Sequence, residues 1–248
     1  MKIALLADTH SNLEALHACL AHAEREGAGR FVFLGDLVGY GADPVACLTL
    51  IARYADQGAL LVRGNHDEAA LGGLGENMNP IARDAIYWTR GQLGATERAF
   101  LSALPMTARQ GDLLFVHASA HQAESWPYIH GKNQAVLSMN AADAAVCFVG
   151  HVHQQMLYWS AQPQSRAHTF SPTPGVPIPL TRNRRWLAIA GSVGQPRDGN
   201  NAAAYALFDE ESRSLTFHRV PYDHQTAASK VLAAGLPEQL AQQLLRGE

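Results

Sequence analysis

Short apolar runs alternate with segments of helical periodicity in the first part of the chain. The apolar runs cover residues 3–7, 31–34 and 59–62, and each has the length of a buried strand. Between the second and third runs, Asp43 and Pro44 have the order of an N-cap and a first helical residue. The order strand, helix, strand, helix, strand predicts a parallel sheet with right-handed crossovers.

The pattern changes beyond residue 105, where apolar runs follow one another with few helical segments between them. The candidate strands cover residues 113–116, 146–149, 155–159, 185–190, 203–208 and 215–220. Such a succession predicts a second, largely antiparallel sheet. Residues 68–104 and 224–248 are predicted to be helical, and the proline-rich segment 162–179 favours a surface excursion. Because no internal repeat or linker divides the chain, residues 1–248 are predicted to form a single domain.

Polar residues cluster at the ends of five predicted strands. The clusters are Asp8 with His10, Asp36, Asn65 with His66 and Asp67, His117, and His151 with His153. The carboxyl ends of the strands are the edge at which open α/β sheets bind ligands. Taken singly, each residue is explained by a helix cap, a turn or a buried histidine. Five clusters in the same kind of position favour one shared site.

The clusters offer a donor set that suits transition metals. The candidate ligands are Asp8, His10, Asp36, Asn65, His117, His151 and His153. Oxygen and nitrogen donors without a thiolate suit manganese, iron, zinc, nickel or cobalt better than calcium. This set is too large for one such ion, so two divalent ions are predicted, with Asp36 as the natural bridge. Two ions roughly 3.5–4 Å apart can clamp a phosphoryl group during in-line attack.

Composition adds limits on partners and location. Charged residues make up 17% of the chain and the net charge is −3, which disfavours a nucleic-acid partner. The three cysteines, Cys19, Cys47 and Cys147, are far apart and form no CxxC pair, so a disulfide framework is not expected. The N-terminal apolar run is interrupted at Asp8, too early for a signal peptide or a membrane span. A cytoplasmic location without a membrane partner is therefore predicted.

The ordered motifs resemble those of the calcineurin-like metallophosphoesterases. The matching motifs are Asp8-x-His10, Gly35-Asp36, Gly64-Asn65-His66-Asp67, His117 and Gly150-His151-Val152-His153. The resemblance extends from residue 1 to about residue 220. It is greatest to the small bacterial and archaeal, phosphodiesterase-like branch of the family, in which a Gly-Ser-Val-Gly segment follows the last metal motif. Residues 191–194 occupy that place here.

The resemblance implies a fold, a ligand assignment and a reaction. The family fold is an α/β sandwich of four layers, with two β-sheets packed face to face and helices on the outside. One ion would take Asp8, His10, Asp36 and His153, and the other would take Asp36, Asn65, His117 and His151. A metal-bridging hydroxide would attack a phosphomonoester or phosphodiester, with His66 as the general acid. Manganese is the first expectation for the metal, with iron, zinc, nickel or cobalt as alternatives.

The second motif departs from the family pattern. Gly39 and Tyr40 stand where protein-phosphatase members have an aspartate that pairs with the catalytic histidine and an arginine that binds phosphate. The departure argues against protein phosphatase activity and leaves open what orients His66. Arg197 is a hypothetical replacement for the missing arginine, because a guanidinium suits phosphate recognition. Asn12 and His121 are weaker candidates for substrate contact.

Two other functions are weighed against a small-molecule phosphoesterase. A metal-binding interaction scaffold of the same fold that has lost catalysis is the main alternative, but the presence of His66 favours the enzyme. A nuclease would need an extended basic groove, which the net charge does not suggest. Trp126 and Tyr128 fit either a pocket rim or the core. The physiological substrate and the oligomeric state stay open.

Overall fold

The computed structural model describes residues 1–73, 78–161 and 165–248. The strands are β1 (Lys2–Leu6), β2 (Ala28–Phe33), β3 (Leu60–Leu61), β4 (Thr107–Gln110), β5 (Leu113–Val116), β6 (Val146–Val149), β7 (Met156–Ser160), β8 (His168–Phe170), β9 (Ile178–Pro179), β10 (Arg185–Ile189), β11 (Ala203–Asp209) and β12 (Ser214–Val220). The helices are α1 (Leu13–Arg25), α2 (Pro44–Asp56), α3 (Asn65–Ala70), α4 (Pro80–Gln92), α5 (Ala95–Ser102), α6 (Lys132–Ala142), α7 (His224–Ala233) and α8 (Glu238–Arg246).

The first sheet joins the predicted parallel strands to strands from the end of the chain. Its order is β3-β2-β1-β11-β12-β9, and β1, β2 and β3 run parallel as predicted. The assignment of β11 and β12 to the second sheet was wrong, because β11 pairs antiparallel with β1. Six of the seven residues of β11 are buried, since the strand is covered on both faces. A strand of this kind has no apolar alternation that would indicate its sheet.

The second sheet is mixed rather than largely antiparallel. Its order is β4-β5-β6-β10-β7-β8, and the central strands β5, β6 and β10 are parallel. The parallel pairing of β5 with β6 depends on α6, which forms the crossover between them and which the sequence analysis missed. Polar residues such as Asn133 and Gln134 interrupt the apolar spacing of α6, so its periodicity is weak.

The two sheets pack face to face, and helices cover their outer faces. Phe208 of the first sheet meets Phe148 of the second with ring centroids 5.4 Å apart, and Phe115 stacks beside Phe148 at 5.7 Å. Each of these fully buried rings contributes roughly 1.5–3 kcal/mol of transfer free energy. Helices α1 and α2 pack on the first sheet, and α6 packs on the second. The predicted α/β sandwich with outer helices is confirmed.

The proline-rich segment connects the edges of the two sheets. Strand β8 pairs with β7 at the edge of the second sheet, and β9 pairs with β12 at the edge of the first. Residues 162–164 of the predicted surface excursion lie outside the described residues. In the described parts of the chain, no helix is both long and apolar enough to cross a membrane. The single-domain and cytoplasmic assignments stay predictions.

Candidate metal centre

The polar clusters lie together where the two sheets share an edge. Asp8 and Asp36 follow β1 and β2, while His117 directly follows β5 and His151 comes two residues after β6. Asn65 is the first residue of α3. Except for half-buried Asn65, the predicted ligands are buried. The structure therefore brings together every residue that was predicted to bind metal.

One cluster contains Asp8, His10, Asp36 and His153. The Nε2 atoms of His10 and His153 are 3.1 Å apart. His153 Nε2 lies 3.4 Å from Asp8 Oδ1, and His10 Nε2 lies 3.7 Å from Asp36 Oδ2. Ligand atoms of Asp8, His10 and His153 all lie within 4.8 Å of one another, and Asp36 adjoins this group through its contact with His10.

The other cluster contains Asp36, Asn65, His117 and His151. Its centre is His117 Nε2, which lies 3.1 Å from Asn65 Oδ1, 3.2 Å from His151 Nδ1 and 3.4 Å from Asp36 Oδ2. These contacts are compatible with the two ligand sets that the family resemblance implies, and that ligand assignment stays a prediction. Asp36 alone belongs to both, through the same oxygen atom.

Asp36 is held as a carboxylate between the two clusters. Burial alone would raise its pKa, but the imidazoles of His117, His66 and His10 hold the pKa well below its usual range. Its other oxygen, Oδ1, accepts a hydrogen bond of 2.8 Å from the backbone N–H of His66. That bond fixes the carboxylate plane and leaves Oδ2 to face both clusters.

Backbone carbonyl groups orient three of the imidazoles. The Nδ1 atoms of His10, His117 and His153 donate to the carbonyl oxygens of Val38, Leu34 and Gln195 at 3.2, 2.7 and 2.6 Å. Because a carbonyl oxygen only accepts, Nδ1 carries a proton in each ring, so the neutral form of the ring presents its Nε2 lone pair to the cluster. Two imidazole lone pairs 3.1 Å apart repel each other unless a proton or a cation lies between them. The donor set thus fits divalent transition-metal ions.

The backbone around the donors is strained. Five candidate ligands have φ in the left-handed region, and these are Asp8 (54°), His10 (48°), Asp36 (52°), His151 (67°) and His153 (65°). Each such conformation costs a residue other than glycine on the order of 1–3 kcal/mol. Interactions elsewhere in the fold must therefore offset this cost to keep these side chains directed toward one point.

Glycines allow the motifs to approach each other closely. A Cβ atom on Gly64 would overlap the Oδ1 atom of Asp36, and one on Gly150 would lie 2.7 Å from Asp8 Oδ2. Neither site has room for a side chain. The two glycines bring the third and fifth motifs against the carboxylates of the first and second.

Asp67 does not orient His66. Its Oδ1 accepts hydrogen bonds from the backbone N–H groups of Leu37 and Val38, and its Oδ2 accepts one from Gly64, at 2.9, 3.2 and 2.9 Å. Burial and the nearby Asp36 carboxylate raise the pKa of Asp67 to about 7. Asp67 therefore joins the second and third motifs instead of contacting the His66 ring.

His66 is held by ring packing. Its ring centroid lies 4.5 Å from that of Tyr40 and 4.8 Å from that of His10. Its Nδ1 atom is buried and has no hydrogen-bond partner among the described residues. Burial lowers the pKa of His66 to about 4, so the ring is neutral at pH 7 in the metal-free protein. Tyr40 stands in place of the phosphate-binding arginine of protein-phosphatase members, and its ring helps to position the His66 ring.

A third grouping of donors includes His66 itself. Suitable atoms of His10, Asp36 and His66 lie within 4.8 Å of one another. His10 and Asp36 already belong to a fuller cluster with Asp8 and His153. We therefore keep His66 outside the predicted ligands, and the metal content of a His66 variant distinguishes the two assignments.

Gly39→Ala is expected to displace the His66 ring. An added Cβ would lie 2.5 Å from His66 Nδ1, and Gly39 has φ of 91°. A displacement of about 1 Å at a residue that acts on the substrate can cost roughly 100-fold in rate, and the general-acid role that the family resemblance implies for His66 predicts a loss of that size in turnover. The matched control is Gly58→Ala, which has the same φ of 91° and open space around it. Equal turnover in the two variants would show that the His66 position is not critical.

Metal affinity is expected to rise with pH between 7 and 9. Burial opposes protonation of His117, but the Asp36 carboxylate and its hydrogen bond outweigh burial and raise the pKa of His117 to about 9. Burial holds the pKa values of His10 and His151 below their usual range, so those rings are already neutral. An incoming ion must displace one proton from His117, which predicts roughly tenfold tighter binding per pH unit. Isothermal titration calorimetry at several pH values would measure the metal affinity. An affinity that did not change with pH would contradict this prediction.

The substrate-contact candidates differ in their surroundings. The Asn12 side chain accepts from the N–H of Ala15 as the cap of α1 and donates to the carbonyl of Gly194 and the hydroxyl of Tyr222. These hydrogen bonds occupy the Asn12 amide group, so the structure does not support a contact between Asn12 and the substrate. His121 binds Ser119 through its backbone N–H and stays a prediction.

Arg197 lies beside the candidate centre. Its guanidinium carbon is 5.6 Å from the Tyr40 ring centroid, and its Nη2 donates to Gln195 Oε1 at 2.6 Å. The charge of Arg197 and its hydrogen bonds oppose the rise that burial causes in the pKa values of Tyr40 and Tyr128. The same charge contributes to the lowered pKa of His66. Arg197 is therefore close enough to the centre to interact with an anion there.

A cavity of about 290 Å³ opens beside His66. Its lining consists of Tyr40, Asn65, His66, Met78, Asn79, Ala82, Ser125, Trp126, Tyr128 and His151. Trp126 and Tyr128 thus belong to the cavity wall, which resolves the choice that the sequence left open. The loop that presents them has left-handed residues at Gln122 and Trp126, which no spacing rule predicts.

The chain is similar in sequence to known proteins over nearly its whole length. The sequence model for the calcineurin-like phosphoesterase superfamily domain matches residues 1–213. An uncharacterised protein of Methanocaldococcus jannaschii is 35% identical over 250 residues, which cover 99% of this chain and 98% of that protein.

Two solved structures are similar to this chain over its whole length. A metallophosphoesterase from Sphaerobacter thermophilus is 38% identical, with a TM-score of 0.90 over 100% of this chain and 99% of that chain. A hypothetical protein from Pyrococcus horikoshii OT3 is 19% identical, with a TM-score of 0.77 over 100% of this chain and 98% of that chain. At 19% identity the second likeness concerns the fold alone.

Proposed function

Because the chain belongs to the calcineurin-like phosphoesterase superfamily, we propose that it is a metal-dependent hydrolase of small phosphomonoesters or phosphodiesters. The cofactor is a pair of divalent ions, with manganese as the first expectation. The observation that carries the proposal is the pair of four-residue clusters, buried except for Asn65, that share Asp36 Oδ2.

The ligand residues present a fixed, water-excluding frame to the phosphoryl group. When bound, two divalent ions supply Lewis acidity, positive charge and an activated water. The chain's contribution is orientation, since carbonyl groups hold three of the four imidazoles and the His66 N–H holds Asp36. Because the strained backbone already holds these groups in place, little reorganisation is needed when the transition state forms.

His66 is assigned the proton transfer to the leaving oxygen. It lines the cavity next to Asn65 and His151, and the proposal places the leaving group of the ester in this cavity. Burial lowers the pKa of His66 to about 4 in the metal-free protein, and an anionic phosphate beside the ring would raise that pKa and favour the proton that a general acid needs.

We assign Arg197 the role of binding the phosphate oxygens that do not react. Gln195 holds the guanidinium through a hydrogen bond of 2.6 Å, and the Gln195 carbonyl also accepts from His153 Nδ1. The segment that carries Arg197 is therefore joined to the first metal cluster. A guanidinium anchored in this way can bind two phosphate oxygens at once.

Arg197→Ala is expected to raise KM by roughly 10- to 100-fold with a smaller change in kcat, because a charge-assisted bond to phosphate is worth about 1.5–3 kcal/mol. Arg197→Lys should recover part of the loss, since it restores the charge without the fork. Arg53→Ala is the control, because the Arg53 side chain is exposed on α2, and this variant should match the unsubstituted protein. Unchanged KM and kcat in Arg197→Ala would remove this residue from substrate binding.

The proposed function is tested with metal-stripped protein and two chromogenic substrates, p-nitrophenyl phosphate and bis-p-nitrophenyl phosphate. Each divalent metal is restored in turn, and we expect hydrolysis that depends on the added metal, with manganese among the active ions. The ratio of the two rates gives the preference for monoester or diester. No hydrolysis with any metal, in protein shown to hold two ions, would contradict the proposal.

A further inference from the structure

The cavity beside His66 has an aromatic wall that the phosphoryl chemistry does not use. Three of its lining residues are Tyr40, Trp126 and Tyr128, and two more are Met78 and Ala82. We infer that this cavity binds the ester group of the substrate and that this group is a planar, uncharged aromatic or heteroaromatic ring. The inference rests on the proposed function and names the substrate class of the same site.

The position of the cavity makes it the place for the ester group. His66, Asn65 and His151 belong both to the candidate centre and to the cavity lining. A phosphorus atom held at the centre, with its leaving oxygen next to His66, has its organic group inside the cavity. The residues of the wall are therefore those that contact the leaving group.

The wall is built from ring faces and edges. Tyr128 stacks on His151 with centroids 3.9 Å apart and an interplanar angle of 24°. Trp126 is 9% exposed and packs edge-on against His117 at 5.8 Å. Its indole Nε1 is buried and has no hydrogen-bond partner among the described residues, so one donor beside the ring site is unused. Aromatic pairs of this kind add about 0.5–1.5 kcal/mol beyond the area they bury.

The charge of the wall excludes other ester groups. Among the described residues, the lining has no lysine, arginine, aspartate or glutamate. Arg197, whose charge and hydrogen bonds reach Tyr40 and Tyr128, is assigned to the reacting phosphate, so a second phosphate, a sugar acid or an amino group would find no opposite charge in the described lining itself. The volume of about 290 Å³ is at the lower end of the roughly 300–1,000 Å³ typical of ligand pockets and suits a single ring system.

The test compares two ligands that have no P–O ester bond, so the protein cannot hydrolyse them. Phenylphosphonate and methylphosphonate share the phosphorus group and differ in the ring, and calorimetry on protein loaded with two metal ions measures their affinities. We expect phenylphosphonate to bind at least about tenfold more tightly. In Tyr128→Ala the ratio should fall to about one to three.

Tyr87→Ala is the matched control, because Tyr87 is 52% exposed on α4 and Tyr128 is 44% exposed. It should keep the full ratio. Trp126→Leu is the second variant, and metal content is measured in each protein because Tyr128 contacts His151. A ratio near one in the unsubstituted protein, or a full ratio in both cavity variants, would overturn the inference.

A nucleoside 5′-phosphonate separates the two sources of an aromatic ring. Tighter binding than phenylphosphonate assigns the cavity to a nucleobase, and weaker binding assigns it to an aryl group next to phosphorus. Failure of the proposed function has a different signature. In that case metal-loaded protein does not hydrolyse aryl phosphates, whatever the affinities of the phosphonates.

Discussion

Asp36→Asn is expected to abolish binding of the metal pair and to lower turnover by at least about 10³-fold, since the bound metals contribute several kcal/mol to the transition state. Asp36 Oδ2 lies 3.7 Å from His10 Nε2 and 3.4 Å from His117 Nε2. The substitution removes the one charge common to both clusters. The amide oxygen can still accept the His66 N–H, so the loop should keep its conformation.

Elemental analysis and activity are measured together for this variant. Asp84→Asn is the matched control, because Asp84 is 60% exposed and lies on α4. The control should keep two ions and full activity. If Asp36→Asn also kept two ions per chain with normal turnover, Asp36 could not be the bridging ligand.

His66→Ala is expected to keep both ions and to lose roughly 10²–10⁴-fold in turnover, the usual range for a general acid. The loss should depend on the substrate. An alkyl or phenyl ester needs a proton on its leaving oxygen, whereas p-nitrophenolate leaves readily without one. We therefore expect a markedly smaller loss with p-nitrophenyl phosphate than with phenyl phosphate.

His17→Ala is the matched control for this substitution, since His17 is exposed on α1. Loss of one ion from His66→Ala would instead assign His66 to the grouping with His10 and Asp36. Near-normal rates with both ions retained would remove His66 from the mechanism. An interaction scaffold predicts no turnover in any of these proteins, including the unsubstituted one.

The candidate ligands were predictable because their signals are local. Each follows an apolar run, and pairs such as Asp8 with His10 sit within three residues of each other. Strand ends and short spacings are properties that a single sequence displays. The structure then brings these residues together and adds the left-handed backbone, as at His151 and His153, that no spacing reveals.

Strand pairing was less predictable because it depends on distant partners. Buried β11 carries no alternation, so nothing in its residues distinguished pairing with β1 from membership of the second sheet. Helix α6 was missed because its apolar stripe is weak. Without α6 between them, β5 and β6 were predicted to be neighbours in an antiparallel sheet. In the structure they form a parallel pair.

The surroundings of His66 were also beyond the sequence. The motif comparison identified Gly39 and Tyr40 as departures but could not show that the glycine makes room for His66 Nδ1 and that the tyrosine packs on its ring. Arg197 and Tyr128 approach the same region from loops far apart in the chain. Contacts between loops of this kind follow from tertiary structure alone.

The most direct test of the account is a titration of metal-stripped protein with manganese, in which bound metal and hydrolysis of p-nitrophenyl phosphate and bis-p-nitrophenyl phosphate are followed together. Two clusters that share Asp36 predict that hydrolysis develops mainly with the second equivalent and stops rising at two ions per chain. Full activity at one equivalent, or none in protein that holds two, would contradict a shared two-ion centre as the source of catalysis.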